Sequence, residues 1–283
     1  MNCSLCAGPT SQLFVHHGYW VRGCQICGHR NADVAPRADH IASTYNDGYF
    51  EGGGGAGYQN YFREAEILID HGRRYARLAS NYMGVGKVLD VGSAAGFVLK
   101  GFIGSGWRGE GIEPNSRMAE YAREKTGVPV TTSSLEDFRS KASFDLVSMI
   151  QVLAHFVDPR AALSVADSLT RPEGFWLVET WNRESLTARF FEKHWHEYSP
   201  PSVLHWFSPE GLRRLAAEFH FQEVARGKPA KWISGSHAKS LLRYRTETST
   251  FARPLTKLVA LLPDRWNLRY PAEDLFWMIL QKT

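Results

Sequence analysis

Apolar residues recur along the chain in two alternating periods. Short β-rich apolar runs stand at 88–91, 109–113, 128–131, 144–150, 174–180, 221–226 and 276–281. Between them the spacing is helical. Phe62, Ala65, Ile69 and Tyr75 mark one helix over 61–78, and a second spans 96–105. Asn115 caps a third that runs to about 125. Asp158-Pro159 opens a fourth, with Ala162, Val165, Ala166 and Leu169 on one face. Ser208-Pro209 opens a fifth, with Leu212, Leu215, Ala216 and Phe219 inside. Strand following helix in this way predicts an α/β domain with a doubly wound, seven-stranded sheet. The last run is expected to close the sheet as an antiparallel strand.

Four stretches fall outside this alternation. Residues 14–21 read as a short hairpin. Residues 31–60 begin as a linker and then carry Tyr45, Tyr49 and Phe50, the glycine run 52–57, and Tyr58. Glycines beside aromatic rings suit a lid over a ligand, and a plain flexible linker is the alternative. The connections 181–207 and 227–274 are long enough to do work or to hold helices of their own, which the mixed pattern at 240–262 suggests. Residues 181–207 leave the carboxyl end of a strand, where open α/β sheets bind ligands. They are rich in Phe, Trp, His and Tyr. The chain therefore divides into 1–38, a linker and helix at 39–80, and the main domain at 81–283.

Composition narrows the partners. Of 283 residues, 43% are hydrophobic and 22% charged, as in ordinary soluble proteins. A net charge of +4 permits an anionic substrate without demanding nucleic acid. The longest apolar runs fall far short of the roughly 18 residues of a membrane span, and no signal peptide opens the chain. A cytoplasmic protein without a membrane partner is expected. All four cysteines lie in Cys3-x-x-Cys6 and Cys24-x-x-Cys27, seventeen residues apart. Two such knuckles at this spacing read as one tetrahedral zinc site. Four thiolates close the shell, so the metal is expected to be structural. Two disulfides are the rival reading, weakened by the reducing cytosol.

The chemistry centres on 88–99. An apolar strand ends in Asp90-Val91, a small-residue turn follows at Gly92-Ser93-Ala94-Ala95-Gly96, and a helix begins at Phe97. Such a turn lets a ligand approach the backbone. Glu113-Pro114 ends the next strand seventeen positions after Gly96, which suits a carboxylate gripping ribose hydroxyls. Dinucleotides and S-adenosylmethionine both use this geometry. The dinucleotide fingerprint needs Gly-x-Gly-x-x-Gly, which is absent here. The turn resembles the Asp-Val-Gly-x-Gly-x-Gly turn of class I S-adenosylmethionine-dependent methyltransferases, with Ala94 in place of the middle glycine. The resemblance implies a Rossmann-like fold. It also implies a cofactor site made of Asp90, Gly92, Ser93, Ala94, Gly96, Phe97, Glu113, Pro114, Ser134, Leu135, Glu136 and Gln151. Ser134-Leu-Glu-Asp137 falls where the adenine sits in that family, and a capped turn is its plain reading.

The whole pattern is similar to small-molecule methyltransferases with an N-terminal four-cysteine zinc knuckle, among them bacterial sugar C-methyltransferases. Their late His-Phe-Ser motif is matched by Pro200-Pro-Ser-Val-Leu-His205-Trp-Phe-Ser208. There are departures. Some related O-methyltransferases bind a divalent metal through Glu-x-x-Glu-His, where this chain has Gln151-Val-Leu-Ala154-His155. Without those carboxylates a catalytic magnesium is not expected. Leu204 stands where relatives often carry Glu. Ser199-Pro-Pro-Ser202 superficially matches the motif of base N-methyltransferases, but it lies after the wrong strand and lacks the closing aromatic.

The expected reaction is methyl transfer to an oxygen or carbon of a small, sugar-like or biosynthetic acceptor, by in-line displacement. His205, then His155, are the expected proton acceptors, since imidazole titrates near neutrality. An RNA methyltransferase that grips nucleic acid with the knuckle is the alternative. Residues 1–40 offer it only Arg22, Arg30 and Arg37 as full positives. A non-catalytic module is the third reading, and the intact Asp90, Gly92, Gly96 and Glu113 argue against it.

Overall fold

The structure, a computed structural model, describes residues 2–34, 40, 44, 61–235, 239, 266–270 and 272–283. Its N-terminal hairpin turns on His17 (φ 48°) and Gly18 (φ 83°). Two consecutive left-handed residues make a type I′ turn, whose twist matches that of paired strands. It joins β1 (Thr10–His16) to β2 (Tyr19–Cys24), with His16 opposite Tyr19. The hairpin is longer than the 14–21 stretch expected. β3 (Arg30–Ala32) adds beside β2. The aromatic and glycine segment at 45–58, expected as a lid, lies outside the described residues, as does the 38/39 boundary.

A 3-10 turn (Tyr61–Glu64) leads into α1 (Ala65–Ser80), which buries Ile67, Ile69, Gly72, Tyr75, Ala76 and Ala79. The core continues through β4 (Lys87–Val91), α2 (Phe97–Ile103), β5 (Arg108–Glu113) and α3 (Ser116–Tyr121). Asn115 caps α3 by accepting from the Met118 amide at 2.9 Å. β6 (Val130–Thr132), β7 (Phe144–Ile150), α4 (Pro159–Leu169) and β8 (Thr170–Trp181) follow. β6 starts later than the apolar run because Pro129 cannot donate to the ladder, although its carbonyl accepts from Gly111 at 2.8 Å. β8 starts earlier, with a register shift that absorbs the turn-like Pro172–Gly174.

α1 and α2 cross at backbone contact. A methyl group on Gly72 would stand 2.1 Å from the Val98 carbonyl, and one on Gly101 would stand 2.3 Å from the Ile69 carbonyl. Neither obstacle is a side chain that can rotate away. Gly72→Ala is expected to cost about 3 kcal/mol, the upper end for overpacking, read as a lowered urea midpoint. An unchanged midpoint would mean that the helices do not cross this closely.

After β8 come α5 (Leu186–Phe191), β9 (His205–Trp206), α6 (Pro209–Ala217) and β10 (Phe221–Gly227). A ribbon of β11 (Lys231–Ser234) and β12 (Asn267–Tyr270) precedes β13 (Leu275–Lys282). The helices expected within 240–262 lie outside the described residues. The main sheet has the order β10-β13-β8-β7-β4-β5-β6, and β13 runs antiparallel to both neighbours. The doubly wound seven-stranded sheet is therefore as expected. Leu89, Val147, Trp176 and Val178 pack on one face, and Val88, Leu146, Phe175 and Leu177 on the other.

The N-terminal sheet is completed from the core. β9 pairs antiparallel with β3, setting Arg30 opposite Trp206 and Asn31 opposite His205. Leu204 links both sides: its carbonyl accepts from Ala32 at 2.8 Å, and its amide donates to the Ala154 carbonyl at 2.9 Å. Among the described residues no helix is long and apolar enough to cross a membrane.

Candidate active site

At the carboxyl ends of β4 and β5 the chain gathers Asp90, Ser93 and Glu113. Asp90 accepts from Ser148 Oγ at 2.6 Å and from Ser93 Oγ at 2.7 Å. Glu113 accepts from the amides of Ala94 and Asn115, each at 2.9 Å. The amides of Gly92 and Ser93 donate to the Ile112 carbonyl at 2.9 and 3.0 Å, which ties the turn to β5. Gly96 is required twice over. Its φ is 76°, and a Cβ there would stand 2.4 Å from Val128 Cγ2. Gly111 and Ser148 went unnoticed in the sequence. A side chain at Gly111 would meet Ser93 Oγ at 2.1 Å. Ser148, a lone hydroxyl inside an apolar strand, was the available signal.

Burial pushes both acids up. Asp90 rises to about 6, with its two serine hydrogen bonds opposing the shift. Glu113 rises to about 7, opposed by the Asn115 and Ala94 amides and reinforced by the charge of Asp90. The folded chain thus keeps two protons that an unfolded chain releases near pH 4. Stability is lost as pH rises from there through about 7. From pH 5.5 to 8 the unliganded protein is expected to lose on the order of 2–3 kcal/mol to this pair. Urea titrations at the two pH values measure it. Glu113→Gln should remove most of the slope, and an unaltered slope would place its origin elsewhere.

The remaining cofactor candidates divide. Phe97 is buried and stacks on Tyr61, with centroids 5.6 Å apart, so it packs the 61–64 turn onto the glycine turn. Pro114 is half-buried beside Glu113. Ser134 caps its own turn, donating to Asp137 Oδ2 at 2.8 Å and accepting from the Asp137 amide at 3.2 Å. The Leu135 side chain lies in the core. Burial raises the Glu136 carboxyl.

Gln151 belongs to a second polar cluster. It adopts a left-handed φ of 61° at the end of β7, and its amide donates to the Glu179 carbonyl at 2.9 Å. Its Nε2 donates to Glu179 Oε1 at 2.6 Å. Lys231 Nζ stands 2.7 Å from the same oxygen, and the Tyr75 hydroxyl donates to Oε2. Glu179 itself is fully buried. One acid inside the apolar end of a strand was the available signal for Glu179. Nothing local marked Tyr75 or Lys231. Beside them, burial drives His71 down to about 3, helped by the Lys231 and Arg74 charges, and its neutral Nε2 accepts from the Trp232 amide at 3.3 Å.

The two expected bases have other settings. His205 is buried in β9, its Nδ1 3.1 Å from His29 Nε2 and the two rings stacked 5.4 Å apart. Burial lowers it to about 4, partly offset by the Phe156 and Val157 backbone. Its Nδ1 partner is a neutral imidazole, and the Asp158 charge offsets part of the lowering. His155 is half-buried, and desolvation lowers it, its Nδ1 donating to the Ser202 carbonyl at 2.7 Å. Both rings are held as packing elements between the 153–158 turn and the 198–207 segment. None of the hydrogen-bond or ring partners just named comes from the 90–97 turn. The structure sets His205 as a buried, neutral ring linked to His29.

The four cysteines are free thiols whose sulfurs all lie within 4.8 Å of one another. Cys6 Sγ stands 3.4 Å from both Cys24 and Cys27 Sγ, and Cys3 stands 3.6 Å from Cys27. Sulfurs bound to a tetrahedral zinc at about 2.3 Å sit about 3.8 Å apart, so the cluster fits the ion. The Leu5 amide donates to Cys3 Sγ, and the Ile26 and Cys27 amides donate to Cys24 Sγ, each at 3.4 Å. Such bonds favour thiolate over thiol.

Comparisons with known proteins bear on this geometry. A family model described as a methyltransferase domain matches residues 61–225. The ubiquinone biosynthesis O-methyltransferase of Rhodopseudomonas palustris (strain BisB5) is 29% identical over 209 residues, 70% of this chain and 71% of that protein. The enzyme of the same name from Actinobacillus pleuropneumoniae serotype 5b (strain L20) is 24% identical over 58% of this chain and 81% of its own. Among solved structures, the Burkholderia thailandensis 1,6-didemethyltoxoflavin-N1-methyltransferase with bound S-adenosylhomocysteine superposes with a TM-score of 0.54 at 15% identity, covering 96% of this chain and 99% of that one. A possible histamine N-methyltransferase from Thermotoga maritima gives 0.53 at 21%, covering 80% and 94%. At these identities the likeness is one of fold.

Proposed function

The chain belongs to the methyltransferase family whose domain model spans residues 61–225, and on that premise we propose that this S-adenosylmethionine-dependent enzyme methylates an oxygen of a small-molecule acceptor. The observation that carries the reading is the Asp90–Ser93–Glu113 cradle at the ends of adjacent parallel strands. The names of the ubiquinone O-methyltransferase relatives favour oxygen over carbon. The RNA reading is disfavoured by how the module spends its positive charge. Arg22 pairs with Asp33 at 3.2 Å. Arg37 lies outside the described residues.

When bound, the cofactor supplies a sulfonium methyl open to in-line attack. Glu113 would accept from its ribose hydroxyls in place of the backbone amides, and Asp90 would hold the turn through Ser93. Glu179 would fix Gln151 where β7 and β8 open toward the acceptor. The four cysteines would hold one zinc as a closed structural site, which accords with a reducing, cytoplasmic setting.

Glu113→Ala is expected to weaken cofactor binding by roughly 10–100-fold, since hydrogen bonds to a charged acceptor contribute about 1.5–3 kcal/mol each. Calorimetry measures it, and unchanged affinity would remove Glu113 from the site. The function itself is tested with label from the cofactor methyl, offered to a panel of hydroxylated small molecules and to RNA. Label on a hydroxyl oxygen supports the reading, and label on RNA alone, on carbon or on nitrogen overturns it.

A further inference from the structure

Between the N-terminal module and the segment after β8 lies a groove of about 890 Å³ that the cofactor cradle does not use. Its size is that of a small-ligand pocket. Arg30 enters it from β3, Arg183 from the end of β8, Arg189 from α5 and Lys193 from the turn after α5. Glu184 and Glu192 are the acids of its lining, so the formal charge of the groove is +2.

That charge is incompletely matched. Glu184 is committed to Arg183, at 2.9 Å, from the solvent side. Arg30 donates to the Tyr198 hydroxyl, a neutral partner. Arg189 and Lys193 take part in no ion pair among the described residues. The Arg183 side chain is 14% exposed, and its Nε is buried without a hydrogen-bond partner. Burial lowers the Arg183 guanidinium and the Arg30 charge lowers it further, opposed by Glu184, Tyr198 and Cys27. The fold thus brings two like charges into a half-buried place and leaves a donor open. Arrangements of this kind are costly unless an anion completes them. Guanidinium forks match oxyanions with two acceptor oxygens, and a charge of +2 matches a dianion better than a monocarboxylate.

We propose that this groove binds a phosphate or diphosphate group carried by the acceptor. The proposal rests on the small-molecule reading given above. It assigns the N-terminal module a share in acceptor recognition, beyond holding a metal. The groove is bounded on two sides by different segments, which suits a compact ligand rather than an extended strand.

The test uses the full chain, loaded with metal, in a low-salt buffer free of phosphate. Inorganic pyrophosphate is titrated calorimetrically into the protein and into Arg189→Ala/Lys193→Ala. Neither substituted residue touches the cradle or the core. The expected result is one pyrophosphate site, weakened by roughly tenfold or more in the double variant, with cofactor affinity within twofold of the parent. No pyrophosphate binding at 10 mM by protein that binds cofactor normally overturns the proposal and leaves the methyltransferase reading standing. Binding that the double variant retains also overturns it. A short single-stranded RNA that binds micromolar, and that pyrophosphate does not displace, would overturn both this proposal and the small-molecule reading.

Discussion

Stripping the metal from the four-cysteine cluster, or replacing Cys24 by Ser, is expected to unfold the N-terminal sheet and to lower the melting temperature of the whole chain. Structural zinc sites contribute apparent free energies of about 10–16 kcal/mol near neutral pH. Here the loss would not stay local. Cys3, Leu5 and Cys24 are buried in the same cluster as Leu153, Phe207 and Leu212 of the main domain. Arg160 of α4 donates to the Leu5 carbonyl and pairs with Glu218. Val21 and Ala32 pack with Trp195, Tyr198 and Trp206. Metal analysis should find one zinc per chain. Chelation should then change tryptophan fluorescence, since Trp195 and Trp206 lie at the seam. Removal of the metal with an unchanged melting curve would show that the cluster is not structural.

Glu179→Ala is expected to cost about 3 kcal/mol and to cut turnover more than cofactor affinity. The substitution removes at once an acceptor shared by the Lys231 ammonium, the Tyr75 hydroxyl and the Gln151 amide. Breaking a buried pair costs roughly 3–5 kcal/mol, and the lower end applies because the Lys231 side chain is 18% exposed. Glu179→Gln keeps one acceptor and should fall between parent and Ala. Glu179→Ala/Lys231→Met should recover part of the loss, because the second change removes the unpaired charge. Urea titrations of all four proteins give the coupling. If the double variant is no more stable than Glu179→Ala, Lys231 is not the partner that matters.

These expectations differ in how much of their basis was legible in the chain. The cofactor turn could be read because its causes are local. Gly96 must take a left-handed φ within one strand-turn-helix unit, and Glu113 ends the next strand. The long apolar runs fixed the sheet strands for the same reason. Glu179 was invisible as a site because its partners come from positions 75, 151 and 231, joined only by folding. His205 shows the opposite case. Its motif was plain, but its setting is decided by His29, 176 residues away. That burial keeps the ring neutral and links it to His29. β9 was also beyond pattern reading, since two residues carry no period and its pairing depends on β3.

The pairing of β3 with β9 has a consequence during synthesis. Chains are made at roughly 5–20 residues per second, so residues 176 apart emerge about 10–35 s apart. For that time the hairpin and its cysteines exist without the strand that completes their sheet. β3 presents an unpaired edge, the kind of edge that recruits strands from other chains. A metal bound early would hold the knuckles closed but leave that edge bare. The interval ends only when the aromatic segment after β8 has been made, so a sheet begun early is among the last to be finished.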